Sequence, residues 1–175
     1  MLKKKFYKFL FLLYIMLTLK QNKEFEEKLG IKSELVRVID VPLNKLRDEI
    51  LKEKGKVIVL GGDEKVNRFC VENKKIDILL SPELNSRKDS FHYRKSGLNQ
   101  VLCKLAKQND VTIGFDFSLL FNSKEKTKIL GRMFFNYKLC KKYKVKMIFS
   151  SFARNKFELR NSDSMRVFKR ILEKY

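Results

Sequence analysis

Short runs of β-branched and aliphatic residues alternate with amphipathic segments along most of the chain, and this alternation constrains the fold more than any other feature. Leu35 to Val41, Lys56 to Leu60, Ile76 to Leu80, Val111 to Phe117 and Val145 to Ser150 read as buried strands. Lys23 to Leu29 reads as a helix that stops at Gly30. Pro42 opens a helix over Leu43 to Lys54, with Leu43, Leu46, Ile50 and Leu51 on one face, and Gly55 ends it. Asp63 is placed to cap a helix carrying Val66, Phe69 and Cys70. Residues 83–96 are polar and predict a long loop. Leu98, Val101, Leu102, Leu105 and Ala106 then fall at amphipathic helical spacing. A long helix from Ser123 is expected to turn Ile129, Leu130, Met133, Phe134, Tyr137 and Cys140 inward. A last helix, capped by Asp163, is expected to bury Val167, Phe168, Ile171 and Leu172.

Strands alternating with helices imply a parallel sheet covered by helices, which is either a (β/α) barrel or an open doubly wound sheet. A full barrel takes eight units and roughly 250 residues. At 175 residues this chain fits one domain and falls short of that barrel. No GxGxxG follows the first strand, which removes the support for a dinucleotide fold. In both architectures functional residues gather at the C-terminal ends of the strands. Those ends carry Gly61-Gly62-Asp63, Ser81-Pro82-Glu83, Asp116 and Ser150-Ser151.

Charge narrows the partner. The chain holds 40 Lys and Arg against 20 Asp and Glu, a net +20, and residues 121–175 alone carry +12 (16 basic, 4 acidic). Such a field attracts phosphate backbones or anionic membranes. Lys124, Lys126 and Lys128 alone read as a solvated helix face; the cluster Lys138, Lys141, Lys142, Lys144 and Lys146 points to a basic surface. One His, His92, cannot build a His-rich metal site, and a Ser-His-Asp arrangement would have to use it. Cys70, Cys103 and Cys140 show no CxxC and no even pairing, which fits a reducing compartment.

The N-terminus begins with Lys3-Lys4-Lys5 and continues into the apolar run Phe9 to Leu19. A basic start before an apolar run is the pattern of a signal peptide. Here Gln21-Asn22-Lys23 follow instead of a small-residue cleavage site, and the run is shorter than the roughly 20 residues that span a bilayer. The run is therefore expected to be a buried element of the fold.

Four segments carry a resemblance. Gly61-Gly62-Asp63-Glu64-Lys65-Val66-Asn67-Arg68 is similar to a Gly-Gly-x-x-x-x-Asn-Arg element. Asp77-Ile78-Leu79-Leu80-Ser81-Pro82 is similar to the strand that follows it. Arg87-Lys88-Asp89-Ser90 and Gly97-Leu98-Asn99-Gln100-Val101-Leu102 are similar to a basic loop entering a helix. Leu159-Arg160-Asn161-Ser162-Asp163 is similar to a Leu-Arg-x-Pro-x-Asp element. In this order, on successive βα units, they resemble ribonuclease P protein component 3, the thirty-kilodalton subunit of archaeal and eukaryal ribonuclease P, over roughly residues 35–175. Residues Phe91 to Ser96 are inserted relative to that pattern, and Gln100 stands where a His is common.

The resemblance implies a TIM-like (β/α) barrel related to metal-hydrolase barrels but lacking their ligands, and incomplete at its N-terminus by one βα unit. It implies a protein that does not cleave RNA itself and binds no cofactor, Mg²⁺ being needed by the RNA-catalysed reaction. Its partners would be the ribonuclease P RNA, component 2 and, through the complex, precursor tRNA; its place would be the cytoplasm.

On this reading Arg68, Arg87, Lys88, Arg154, Lys156 and Arg160 are the candidate RNA contacts. All lie in or beside predicted loops or early helix turns, Arg binding phosphate as a fork and Lys as a point charge. Gly61 and Gly62 permit a tight turn, and Asn67 is suited to support it. Asp63, Glu83, Asp89 and Asp116 are the carboxylates available to a cation, although capping already accounts for Asp63. Phe91 and Tyr93, beside Arg94 and Lys95, have the composition that stacks unpaired bases. The alternatives are a metal-dependent phosphoesterase on the same barrel, disfavoured by the single His, and a membrane-associated basic protein using residues 1–20.

Overall fold

The computed structural model describes residues 16–91 and 93–174; residues 9–15 of the apolar run and His92 lie outside them. Among the described residues seven parallel strands run in chain order: β1 (Met16–Thr18), β2 (Ser33–Leu35), β3 (Val38–Ile39), β4 (Ile58–Leu60), β5 (Ile78–Leu80), β6 (Thr112–Asp116) and β7 (Met147–Ser150). The helices between and after them are α1 (Lys23–Lys28), α2 (Leu43–Lys52), α3 (Glu64–Glu72), α4 (Gln100–Gln108), α5 (Phe117–Asn122), α6 (Lys126–Tyr143) and α7 (Ser162–Lys174), with a 3₁₀ turn at Lys156–Glu158.

β3 to β7 form one sheet in sequence order, and β1 pairs with β2 in another. Two seams join them. On one side β2 and β3 are parts of one bent run, β2 pairing with β1 and β3 with β4. On the other, Thr18 bridges Ala153 in parallel, and the Ser150 hydroxyl accepts from Leu17 N at 2.8 Å and donates to Leu17 O at 3.1 Å. The strands thus encircle a small barrel, and Leu17 to Leu19, in the described end of the apolar run, lie along the outer edge of β7 and the residues that follow it.

Alternation along the strands separates two cores. Leu17, Val36, Val38, Ile58, Leu60, Ile78, Leu80, Ile148 and Phe152 point inward and pack with one another. Ile39, Val59, Leu79, Ile113 and Phe115 point outward, against Leu46, Val66, Leu102, Met133 and Phe168 of the helices. Gly114 is an inward position where a Cβ would lie 2.9 Å from Leu80 Cδ1 and 3.0 Å from Ile78 Cγ2, so a glycine lets the neighbouring strand fill the narrow lumen. Each fully buried Leu or Ile contributes about 1.5–3 kcal/mol.

The helices differ from the sequence reading in detail. Leu51, Val101, Val167 and Ile171 are exposed rather than buried; Met165 joins Phe168 and Leu172 on the inner face of α7. The first turn of α7 is held by Asn161, whose Oδ1 accepts from Ser164 N at 2.9 Å, so Asp163 sits inside the helix rather than capping it. The long helix begins at Lys126, because Phe117 to Asn122 forms the separate helix α5. Cys70, Cys103 and Cys140 are free and buried. Among the described residues no helix is long and apolar enough to cross a membrane.

Candidate nucleic-acid interface at the barrel mouth

At the C-terminal end of β4 the chain must turn sharply from strand to α3. Gly62 takes φ +123°, and a Cβ there would meet Leu84 O at 2.1 Å. Asn67, fully buried on α3, fixes this turn: its Oδ1 accepts from Gly62 N at 2.9 Å, and its Nδ2 donates to Pro82 O at 3.1 Å and Gly97 O at 3.2 Å. One amide therefore ties the ends of β4 and β5 to the entrance of α4. Asp63 caps α3 through Val66 N.

After β5 the long loop is organised from behind by α6. Arg132 is fully buried; its guanidinium donates to Glu83 O, Asn85 O, Arg87 O and the Asp89 carboxylate, at 2.6 to 3.1 Å. One turn further along, Asn136 donates to Glu83 Oε2 at 3.2 Å and Ser96 O at 2.9 Å.

Two carboxylates are buried at the mouth, each with one oxygen left without a hydrogen bond. Burial pushes the Glu83 carboxyl up to about 8, the Asp116 charge adding to the effect and Asn136 and Arg132 opposing it. Burial also raises Asp116 to about 6, against the Leu119 N–H that Asp116 caps and the charge of Arg154. Arg154 lies 3.5 Å from Asp116 Oδ2, close enough for attraction but without a hydrogen bond. Ser81 Oγ, Glu83 Oε1, Asn136 Oδ1 and Ser151 Oγ are likewise buried with no hydrogen-bond partner among the described residues. The other two acids of the sequence reading are engaged elsewhere, Asp63 as a cap and Asp89 with Arg132. Among the described residues no group of three His, Cys, Asp or Glu side chains is placed to hold a metal ion. The floor of the mouth is polar and can hold a proton.

The six candidate contacts separate. Arg154, Lys156 and Arg160 share the segment after β7, on the rim of the mouth. Arg87 and Lys88 are exposed on the 83–96 loop; Arg87 pairs with Glu64 and lines a cleft of about 400 Å³ with Gly62, Tyr93, Lys95 and Asn99. Arg68 sits on the outer face of α3, paired with Glu72 at 2.9 Å. In the inserted loop Tyr93 packs edge-on against Phe135 at 6.0 Å, and Phe91 is 97% exposed. Gln100 accepts a hydrogen bond from the Tyr143 hydroxyl at 3.1 Å.

Sequence reasoning missed Arg132 and Asn136. Their signal was a polar pair four residues apart on the apolar face formed by Ile129, Met133, Tyr137 and Cys140. It also missed Phe121 and Phe157, which stand exposed among the rim cations.

These features define a parallel α/β barrel with a cationic, aromatic rim at its mouth. Comparison with known proteins makes the assignment specific. Residues 43–173 match the family RNase P subunit p30. Over 128 residues the chain is 37% identical to ribonuclease P protein component 3 of Methanocaldococcus jannaschii, covering 70% of this chain and 52% of that protein. Over 145 residues it is 37% identical to the protein of that name from Methanosarcina barkeri, covering 82% and 56%. A chain of the cryo-EM structure of archaeal ribonuclease P with mature tRNA superposes with a TM-score of 0.69 at 27% identity, covering 90% of this chain and 72% of that one. The chain belongs to the RNase P subunit p30 family, and it spans about half the length of the curated relatives it matches.

Proposed function

We propose that this chain is a non-catalytic protein subunit of ribonuclease P. It binds the catalytic RNA and assists removal of the 5′ leader from precursor tRNA in the cytoplasm, beside component 2, with Mg²⁺ serving the RNA-catalysed step. Family membership carries this reading, and the mouth supports it. Arg154, Lys156 and Arg160 present donors for phosphate, and burial raises the carboxyl of Asp116, which faces Arg154, and that of Glu83 beside it, which weakens their opposition to an RNA backbone. Arg87 and Lys88 offer a second set of cations on the loop that Arg132 organises.

The test is reconstitution of the particle from its RNA and proteins, with and without this chain. Precursor tRNA cleavage that depends on the chain, together with no cleavage by the chain alone in Mg²⁺, is the expected result. Cleavage by the isolated protein that survives removal of all RNA would overturn the non-catalytic role.

A further inference from the structure

The rim beside Arg154 is an exposed aromatic surface held in a cage of cations. Phe157, in the 3₁₀ turn, is 71% exposed, and Phe121, on α5, is 50% exposed. Neither stands alone. Phe157 meets the Phe25 ring of α1 edge-on at 6.5 Å, and Phe121 stacks near Phe117 at 6.4 Å with the planes 21° apart. Lys156 Nζ lies 5.2 Å from the Phe157 ring and 5.6 Å from Phe25. Arg160 lies 5.3 Å from Phe121 and 5.7 Å from Phe117, while its NH1 donates to Phe157 O at 2.7 Å. Arg160 therefore joins the two rings into one surface, and Lys126 flanks Phe121 from the start of α6 at 5.2 Å.

Three acids of this region are buried or already paired. Glu158 is buried beneath the turn, accepting from Arg154 N, Asn122 Nδ2 and Asn155 Nδ2. Glu24 pairs with Lys28, and Glu125 with Lys128. Two open phenyl rings among three cations match the chemistry of a single-stranded nucleic acid, in which each base offers a π-face and each phosphate a charge. A duplex offers no such faces, because its bases are stacked on each other. An apolar protein partner would not need the cations that border each ring.

We propose that Phe121 and Phe157, flanked by Lys126, Lys156 and Arg160, form a stacking platform for unpaired RNA nucleotides. This platform rests on the RNA-binding role above and locates the part of the RNA that would contact the rim. The cations already lie over the rings, so they brace the platform and remain able to neutralise the phosphates between stacked bases.

The experiment measures binding of the full chain to two probes of equal length, an unpaired oligoribonucleotide of mixed sequence and a blunt RNA duplex. Phe121→Leu and Phe157→Leu keep apolar bulk on the surface without a flat ring, and Phe157→Tyr keeps the ring. Each Leu variant should lose about tenfold in affinity for the unpaired probe. Its melting temperature, its salt slope and its duplex affinity should stay unchanged, and Phe157→Tyr should bind as the unaltered protein does. Equal binding of the Leu variants and the unaltered protein overturns the platform while leaving RNA binding intact. Failure of the unaltered protein to bind either probe overturns the RNA-binding role with it. Leu variants that bind both probes normally but lose component 2 would assign the surface to a protein partner and overturn the proposal.

Discussion

The buried guanidinium of Arg132 donates twice to one oxygen of the Asp89 carboxylate, from Nε at 3.0 Å and from NH2 at 2.7 Å, across 43 residues of chain. Three further bonds to the backbone of Glu83, Asn85 and Arg87 make this side chain the frame around which the basic loop is shaped. The pairing holds the Asp89 carboxyl below the ordinary Asp range, against the opposing effect of its partial burial, with a bond from Lys95 N assisting.

Arg132→Leu should therefore unfold the loop before it unfolds the barrel. The variant removes a buried charge and leaves three carbonyls without donors, a loss on the order of 3–5 kcal/mol. Hydrogen exchange should rise selectively over residues 83–96, and a melting curve should show a clear destabilisation. Arg132→Lys should recover only part of it, because an ammonium cannot reproduce the planar fork. Unchanged protection of the loop in Arg132→Leu would refute the framing role.

Glu83 makes stability depend on pH in the sense opposite to a salt-bridged acid. Its folded pKa is raised to about 8 from 4.5, so the folded state keeps a proton that the unfolded state has lost across that window. Stability should be highest below about pH 4.5 so far as this group is concerned, and fall as pH rises toward 8. Asp116 adds the same slope between 3.8 and about 6. Glu83→Gln removes the charge while leaving an acceptor for Asn136. It should flatten the decline between pH 5 and 8 and stabilise the protein by about 1 kcal/mol or more at pH 8. Denaturant midpoints across that range check it; a slope identical to that of the unaltered protein would show that Glu83 is not the group responsible.

The βα alternation is legible in the sequence because buried parallel strands read as unbroken apolar runs, and β4 to β7 all fall inside such runs. Leu51 and Val167 mislead because a helix on a small barrel buries a narrow stripe, not every apolar position. α5 leaves no signature, since six residues are too few to show a period. The seam between β1 and β7 is invisible for a different reason: it depends on backbone groups and the hydroxyls of Ser150 and Thr18, 133 and 135 residues from their partners, with no side-chain pattern to announce it. At the site, the rim cations are readable as loop charges, whereas the exposure of Phe121 and Phe157 is decided only by how α5 and the 3₁₀ turn pack.

Gly97→Ala should test how tightly the turn network around Asn67 is set. Gly97 has φ +86°, and a Cβ there would lie 1.8 Å from Pro82 O and 2.8 Å from Asn67 Nδ2. Backbone strain and collision act together, so destabilisation should exceed about 1 kcal/mol. Gly30→Ala is the control: φ is +61°, yet nothing lies within 4 Å of the added Cβ, so only the conformational strain remains. Equal melting temperatures for the two variants would mean that the contacts with Pro82 and Asn67 do not constrain the turn.

Ser150→Ala should open the seam that closes the barrel. The hydroxyl satisfies both the N–H and the C=O of Leu17, which is fully buried, and Thr18 reaches the Ala153 carbonyl at 3.0 Å beside it. Removing the hydroxyl leaves two buried backbone groups unpaired, a cost of about 1–3 kcal/mol. Because the other strand pairs are untouched, the loss should be local. Amide exchange at Leu17 should accelerate markedly, while Ile78, Leu79 and Ile113 in the central strands stay protected. Leu17→Ala should cost more, about 2–5 kcal/mol, since it also empties part of the inner core shared with Ile58, Ile78 and Phe152. If instead Ser150→Ala leaves exchange at residues 16–19 unchanged, the pairing with β2 and the bonds to Ala153 suffice to hold β1, and the barrel does not depend on this hydroxyl for closure.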